Sequence, residues 1–178
     1  MDNEKILWEL SNRADEKSRL IADRHYNRQK PGTKQFVPPG RCLVLYCKTK
    51  TGQALWVTSW PFAKYVRHAW AGAWVCSAFR NEGAAQASTL IRQAVAATID
   101  YFGAPPPQGM ITFIDQKKVK PTIVHGHETW GRTYMLAGFR PVGKTKGGLL
   151  AFQLLPEDMP TGKAARQYEQ LSIKEALI

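Results

Sequence analysis

The chain reads as an α/β protein built on a mixed β-sheet flanked by helices, and three stretches predict it. Cys42–Cys47 and Ala54–Ser59 are short apolar runs joined by the turn Lys48–Gly52, the pattern of an antiparallel hairpin. Trp74–Phe79 is a second kind of apolar run, bounded by glycine and charge. Past a turn of small and polar residues, Leu90, Ile91, Ala94, Val95, Thr98 and Phe102 recur at three- and four-residue steps. That spacing predicts an amphipathic helix, so Ala73–Phe102 reads as strand, glycine turn, helix. Met110–Ile114 repeats the strand-then-helix order and two closing strands follow. Strands that feed helices pair in parallel and hairpins pair antiparallel, hence a mixed sheet.

The remaining elements follow in order. Glu4–Arg24 reads as a helix with Ile6, Leu7, Leu10, Leu20 and Ile21 on its apolar side, ending in the polar cluster Asp23–Arg28. Pro31-Gly32 and Pro38-Pro39-Gly40 punctuate an irregular basic loop. Pro105-Pro106-Pro107 makes a stiff connection after the long helix. Lys117, Lys118 and Lys120 form a basic loop, and His125-Gly126-His127 leads into a short helix, Thr129–Gly138, closed by its glycine. Phe139–Gly143 and Leu149–Leu155 are the closing strands around Lys144–Gly148. Lys163–Ala176 reads as a polar helix, which divides the chain into a catalytic domain over 1–155 and a helical extension over 156–178.

Composition bounds the function. At 178 residues the chain suits one core-bearing domain. Lys and Arg number 25 against 14 Asp and Glu, a net +11 that favours a polyanionic partner, most simply nucleic acid, over a role in solubility alone. Cys42, Cys47 and Cys76 match no metal-finger or CxxC spacing and read as reduced thiols of a cytoplasmic protein. No apolar run approaches the ~20 residues of a membrane span, so no membrane partner is expected. The oligomeric state, a homodimer included, stays open.

Candidate site residues cluster at the ends of the two central strands. Ligands of open α/β sheets sit at strand carboxyl ends, and here these lie near Arg80 and Asp115. The turn Arg80-Asn81-Glu82-Gly83-Ala84-Ala85 before a helix offers unpaired backbone N–H groups to an anion, with Arg80 adding charge and Ser88 a hydroxyl. Asp115, directly after an apolar strand, suits a proton acceptor. Trp60–Gly72 interleaves Trp60, Phe62, Tyr65 and Trp70 with Lys64, Arg67 and His68, the mixture that stacks on unpaired bases beside a phosphate chain; the same rings also suit the cover of a sheet edge. Lys117, Lys118 and Lys144 extend the basic surface. His25, Asp115, His125 and His127 are of metal-ligating type, but no spacing among them forms a metal motif.

The turn Arg80-Asn-Glu-Gly83-Ala-Ala85 resembles the Arg/Gln-x-x-Gly-x-Gly/Ala loop that grips the pyrophosphate of acetyl-CoA in the N-acetyltransferase-like (GNAT) fold. The closing helix with Tyr134, then Ala-Gly-Phe139 and a hairpin, resembles the end of that fold. Within that superfamily the chain is more similar to the Mom-type DNA-modification proteins of bacteriophages. The pattern is an early His25-Tyr26 pair, Arg80 with Asn81 and Ser88, the strand-end Asp115, and Gly131-Arg-Thr-Tyr134 before Phe139. This resemblance implies a GNAT-like mixed sheet and transfer of an acyl or carbamoylmethyl-type group to the exocyclic amino group of adenine in DNA, which shields the DNA from restriction. It implies catalytic roles for Asp115, Tyr134, Ser88, Tyr26 and His25, and donor binding by Arg80, Asn81, Gly83 and Ala85. Acetyl-CoA or a related acyl donor is the implied cofactor, with iron as a further one. Two other readings stay open: an acyl-CoA-dependent N-acetyltransferase on a protein or small amine, and a non-catalytic nucleic-acid-binding module of the same fold.

Overall fold

Leu43, Leu45 and Cys47 alternate with Val44 and Tyr46 along one strand, and all five are buried, so both faces of the sheet are covered. In the computed structural model, which describes residues 4–26, 36–38 and 40–167, that strand is β2 (Arg41–Lys48). It lies between a two-residue edge strand β1 (Glu9–Leu10) and its hairpin partner β3 (Gln53–Trp60). The remaining strands are β4 (Trp74–Glu82), β5 (Met110–Ile114), β6 (Thr122–Val124), β7 (His127–Thr129), β8 (Arg140–Lys144) and β9 (Leu150–Leu154). The main sheet has seven strands in the order β1-β2-β3-β4-β5-β9-β8, with only β4–β5 parallel. The predicted mixed sheet flanked by helices is thus the fold.

Helices α1 (Glu16–Asp23), α2 (Ala87–Phe102) and α3 (Arg132–Leu136) complete it. The larger core joins Leu90, Ile91, Ala94 and Val95 of α2 to Leu43, Leu45, Trp56, Trp74, Met110, Phe152 and Leu154 of the sheet. On the other face Ile21 and Ala22 of α1 cover Val44, Tyr46, Leu55 and Val57. Beside α1 that face is covered by a loop instead, with Trp70 packed near Ile111, Phe113 and Ala151. The Trp56 indole donates to the Thr58 hydroxyl at 2.6 Å, which lies 2.9 Å from that of Thr98, whereas the buried Trp74 indole N–H and Arg19 Nε have no hydrogen-bond partner among the described residues.

The structure corrects three expectations. The first helix is Glu16–Asp23, not Glu4–Arg24, because Asp15 is extended (ψ 119°) and its carboxylate caps the Lys17 N–H. Upstream, tertiary contacts hold the chain extended. Trp8 is fully buried with its indole donating to the Leu90 carbonyl at 2.8 Å, and the Leu7 N–H donates to the Gln93 side chain. Second, the short helix is Arg132–Leu136, not Thr129–Gly138: His125-Gly126 is a two-residue hairpin turn, both φ positive (48° and 79°), that joins β6 to β7 and puts His127–Thr129 in a strand. Third, residues 163–167 are not helical: the Lys163 N–H donates to the Ala96 carbonyl, Ala165 joins the core, and Arg166 pairs with Glu9. The chain therefore packs on the main body through residue 167. The rest of the expected terminal helix, and the loop around Pro31-Gly32, lie outside the described residues.

Candidate active site

The parallel pair β4–β5 opens after three residues. Trp74, Val75 and Cys76 pair with Met110, Ile111 and Thr112, and there the pairing stops. The cause is a β-bulge at Ser77, where β4 spends one more residue than β3: Val57 faces Ala78 while Thr58 faces Cys76. A bulge bends its strand and increases its twist. Beyond it, β4 follows β3 while Phe113 and Ile114 stay with β9, and the two carboxyl ends part.

Three consecutive residues after α1 span that opening. Arg24 binds the Glu82 carboxylate at the end of β4 through two nitrogens, at 2.8 and 2.5 Å. Two residues on, the Tyr26 hydroxyl donates to the Phe113 carbonyl on β5 at 3.3 Å, two residues before Asp115. His25 lies between them in sequence, its ring 4.7 Å from that of Tyr26. On the other side α3 delivers Tyr134. Its ring packs edge-on against Phe79 and Phe139, and its hydroxyl lies beside Thr112 and 4.0 Å from the Cys76 sulfur, where pairing ends. Gly131 (φ 74°) starts α3 against the Phe152 ring, where a Cβ would overlap it.

Burial sets the protonation of these groups. It pushes the Tyr134 phenol well above its ordinary value, the Tyr26 phenol upward, and the Cys76 thiol to about 12. All three hold their protons at neutral pH, so Cys76 is a packing residue and not a nucleophile. The Asp115 Oδ1 accepts the Lys117 N–H at 3.0 Å, and its carbonyl accepts those of Lys118 and Val119. Among the described residues its other carboxylate oxygen has no protein partner. The Glu82 carboxyl is pulled down to about 2, first by its hydrogen bonds from Arg24 and then by Arg80.

The structure thus gathers His25, Tyr26, Asp115 and Tyr134 around one opening. It places other predicted residues elsewhere. Ser88 lines a groove of ≈ 440 Å³ along α2 with Thr89, Arg92 and Lys163, which includes none of those four. Arg80 is engaged by Glu82 at 2.7 Å, not aimed at the start of α2. Asn81 closes the turn on itself, accepting the Ala84 N–H at 3.0 Å and donating to the Ala85 carbonyl at 2.8 Å. Thr51 ties the Gly83 carbonyl to the β2–β3 turn. Of the predicted pyrophosphate grip, the Ala84 N–H and the Arg80 Nε are thus engaged within the turn itself, by Asn81 and Glu82. For iron, no group of three or more His, Cys, Asp or Glu among the described residues is placed to hold a metal ion, and His125 and His127 sit exposed on the β6–β7 hairpin.

The basic residues border the opening. Lys117 and Lys118 follow Asp115 after Gln116, and Lys144 pairs with Leu150, itself the partner of Ile114, so it lies two strands away at the same end. Trp60 is not a free ring: it is half-buried against Trp74 and Phe102 and covered by Arg41 at 4.2 Å. Lys64 and Arg67 are exposed.

Sequence reasoning missed Arg24, Glu82, Thr112 and the pairing of His68 and Trp70 with Phe113. Arg24 and Glu82 are 58 residues apart, with no local signal. One signal was available: Arg24–Asn81 holds ten Lys and Arg and no Asp or Glu, so this stretch carries nearly all of the net charge. Comparison of the chain with protein-family models, with curated proteins and with solved structures finds no match.

Proposed function

We propose that the chain is a GNAT-like transferase of phage or prophage type that modifies the exocyclic amino group of adenine in DNA. The observation that carries this reading is the convergence of Tyr26, Asp115 and Tyr134 on the opening between β4 and β5. They come from three separate pieces of the pattern by which the chain resembles Mom-type proteins, each from a different part of the chain.

The chemistry follows from the groups. The adenine amine is a weak nucleophile, so its nitrogen attacks the electrophilic carbon of an activated donor as a proton leaves it. The N–C bond forms, the bond from that carbon to its leaving group breaks, and the amine proton passes to the Asp115 carboxylate. Tyr134, which keeps its proton, donates a hydrogen bond to the charge that develops on the departing side. Tyr26 and His25 form a wall that orients the base. A base in duplex DNA must first leave its stack, at a cost of a few kcal/mol.

The test is expression of the full chain in a bacterium and mass analysis of its digested genomic DNA. The expected result is a new mass on the adenine nucleoside. Asp115→Asn keeps the oxygen that accepts the Lys117 N–H, and Tyr134→Phe keeps the ring; each lowers modification about 10²–10³-fold with the thermal midpoint nearly unchanged. Unmodified DNA in cells holding soluble, folded protein overturns the reading.

The groove of Ser88, Thr89, Arg92 and Lys163 favours a second reading, an acyl-CoA-dependent N-acetyltransferase on a protein or small amine. Acetyl-CoA binding by calorimetry without measurable DNA affinity would select it.

A further inference from the structure

The loop between β3 and β4 presents two aromatic rings to solvent. Phe62 is 59% and Tyr65 72% exposed, the two most open aromatic rings among the described residues. They stand edge to face at 6.5 Å, Phe62 capping and Tyr65 ending a single 3-10 turn, Ala63–Tyr65. Large exposed apolar side chains that contact each other mark an interaction site. Cations surround the pair: Lys64 lies 4.9 Å from the Tyr65 ring, Arg41 5.7 Å from that of Phe62, and Arg67 is exposed two residues on. The nearest acidic residues in sequence are Asp23 and Glu82, outside the whole 24–81 stretch.

The same loop reaches the site. The His68 ring lies 5.1 Å and that of Trp70 6.0 Å from Phe113, whose carbonyl accepts the Tyr26 hydroxyl. Three Cα-to-Cα steps lead from Tyr65 to His68, so their Cα atoms are at most ~11 Å apart. His68 is itself fixed, its Nδ1 accepting the Trp70 N–H at 3.1 Å. The exposed rings are therefore tethered within a few nucleotide lengths of the opening.

We propose that Phe62 and Tyr65 form a stacking platform for unpaired bases of the DNA strand whose neighbouring nucleotide enters the site. The inference rests on the reading of DNA as the partner. Rings stack on bases of any sequence, and the cations beside them take the phosphates. Such a platform offsets the cost of unstacking and makes single-stranded or mismatched DNA bind more tightly than perfect duplex. An anionic membrane surface is the competing partner for exposed rings amid cations; the rings' place beside the opening proposed above to take an adenine favours DNA.

The test is fluorescence anisotropy of a labelled single-stranded oligonucleotide of about 12 nucleotides and of its duplex. The proteins are the full chain and its Phe62→Ala/Tyr65→Ala and Lys64→Gln/Arg67→Gln variants. All four positions are exposed, so melting temperatures stay close to wild type. The aromatic pair variant should bind the single strand at least about tenfold more weakly with an unchanged salt slope. The charge variant should lower that slope by about 1.4. An aromatic variant that binds within about twofold of wild type overturns the proposal, as does a wild type that prefers the duplex. So does a variant that loses binding to phosphatidylserine vesicles while it keeps the oligonucleotide. The nucleoside assay separates the two readings. Ring-dependent binding without base modification leaves the platform standing and removes the transferase; modification with ring-independent binding does the reverse.

Discussion

The Glu82 carboxylate lies between two guanidinium groups, and that arrangement fixes a pH dependence. Arg24 and Arg80 hold its carboxyl near 2 in the folded chain, against an ordinary 4.5. A group whose folded value is depressed stabilises above its unfolded value, and the contribution is lost as pH falls from about 4.5 to 2. Both arginines are partly open, 46% and 37% exposed, so solvent screens the pair and the contribution is on the order of 1 kcal/mol. Glu82→Gln should therefore lower the urea midpoint at pH 7 and flatten stability between pH 4.5 and 2. An unchanged acid profile would mean that the ion pair does not hold the segment after α1. Because Arg24 and Tyr26 span the opening together, the same variant should weaken modification along with stability.

At the scale of elements, α3 is too short to be stable alone and depends on how it is docked. Gly131 sets that docking through its left-handed φ of 74° and its contact with the Phe152 ring. Gly131→Ala adds a methyl group that must displace the ring or the helix, at a cost of about 1–3 kcal/mol. Tyr134 rides on the displaced element, so loss of modification should match or exceed that of Tyr134→Phe, whereas Tyr134→Phe leaves the thermal midpoint nearly unmoved. A melt and the nucleoside assay on both variants separate docking from chemistry. That a short helix carries Tyr134 was legible in the sequence from its closing glycine, Gly138, a local relation, but its start was placed at Thr129, which pairs instead in β7. The β2–β3 hairpin and the passage from β4 into α2 were legible for the same reason. What escaped was set by distant partners. Trp8 beneath α2 overrides the helical spacing of the first residues, and the β4–β5 opening arises from a bulge that no residue type in Cys76-Ser77-Ala78 announces. Likewise, Arg80 read as a free cation because its partner Glu82 reads as part of the turn; only the β-strand period places both on one face.

Over the whole molecule, charge and architecture are segregated together. The acid-free stretch Arg24–Asn81 runs from the end of α1 through β2 and β3 to the end of β4, one half of the sheet and the rim of the opening. The rest of the chain is close to neutral. A polyanion laid on this half would release counterions only there. With four to six phosphates neutralised, affinity for duplex DNA should fall about 10²–10³-fold between 50 and 200 mM salt, the logarithmic slope being about −0.9 per contact. Arg41, Lys64 and Arg67 belong to that half, Arg140 and Lys163 to the other. Arg41→Gln/Lys64→Gln/Arg67→Gln should reduce the slope by up to about 2.7, and Arg140→Gln/Lys163→Gln should leave it unchanged. Equal reductions from both variants would mean that the net +11 acts as a diffuse field, in which case the opening between β4 and β5 would have no electrostatic preference for the strand it is proposed to modify.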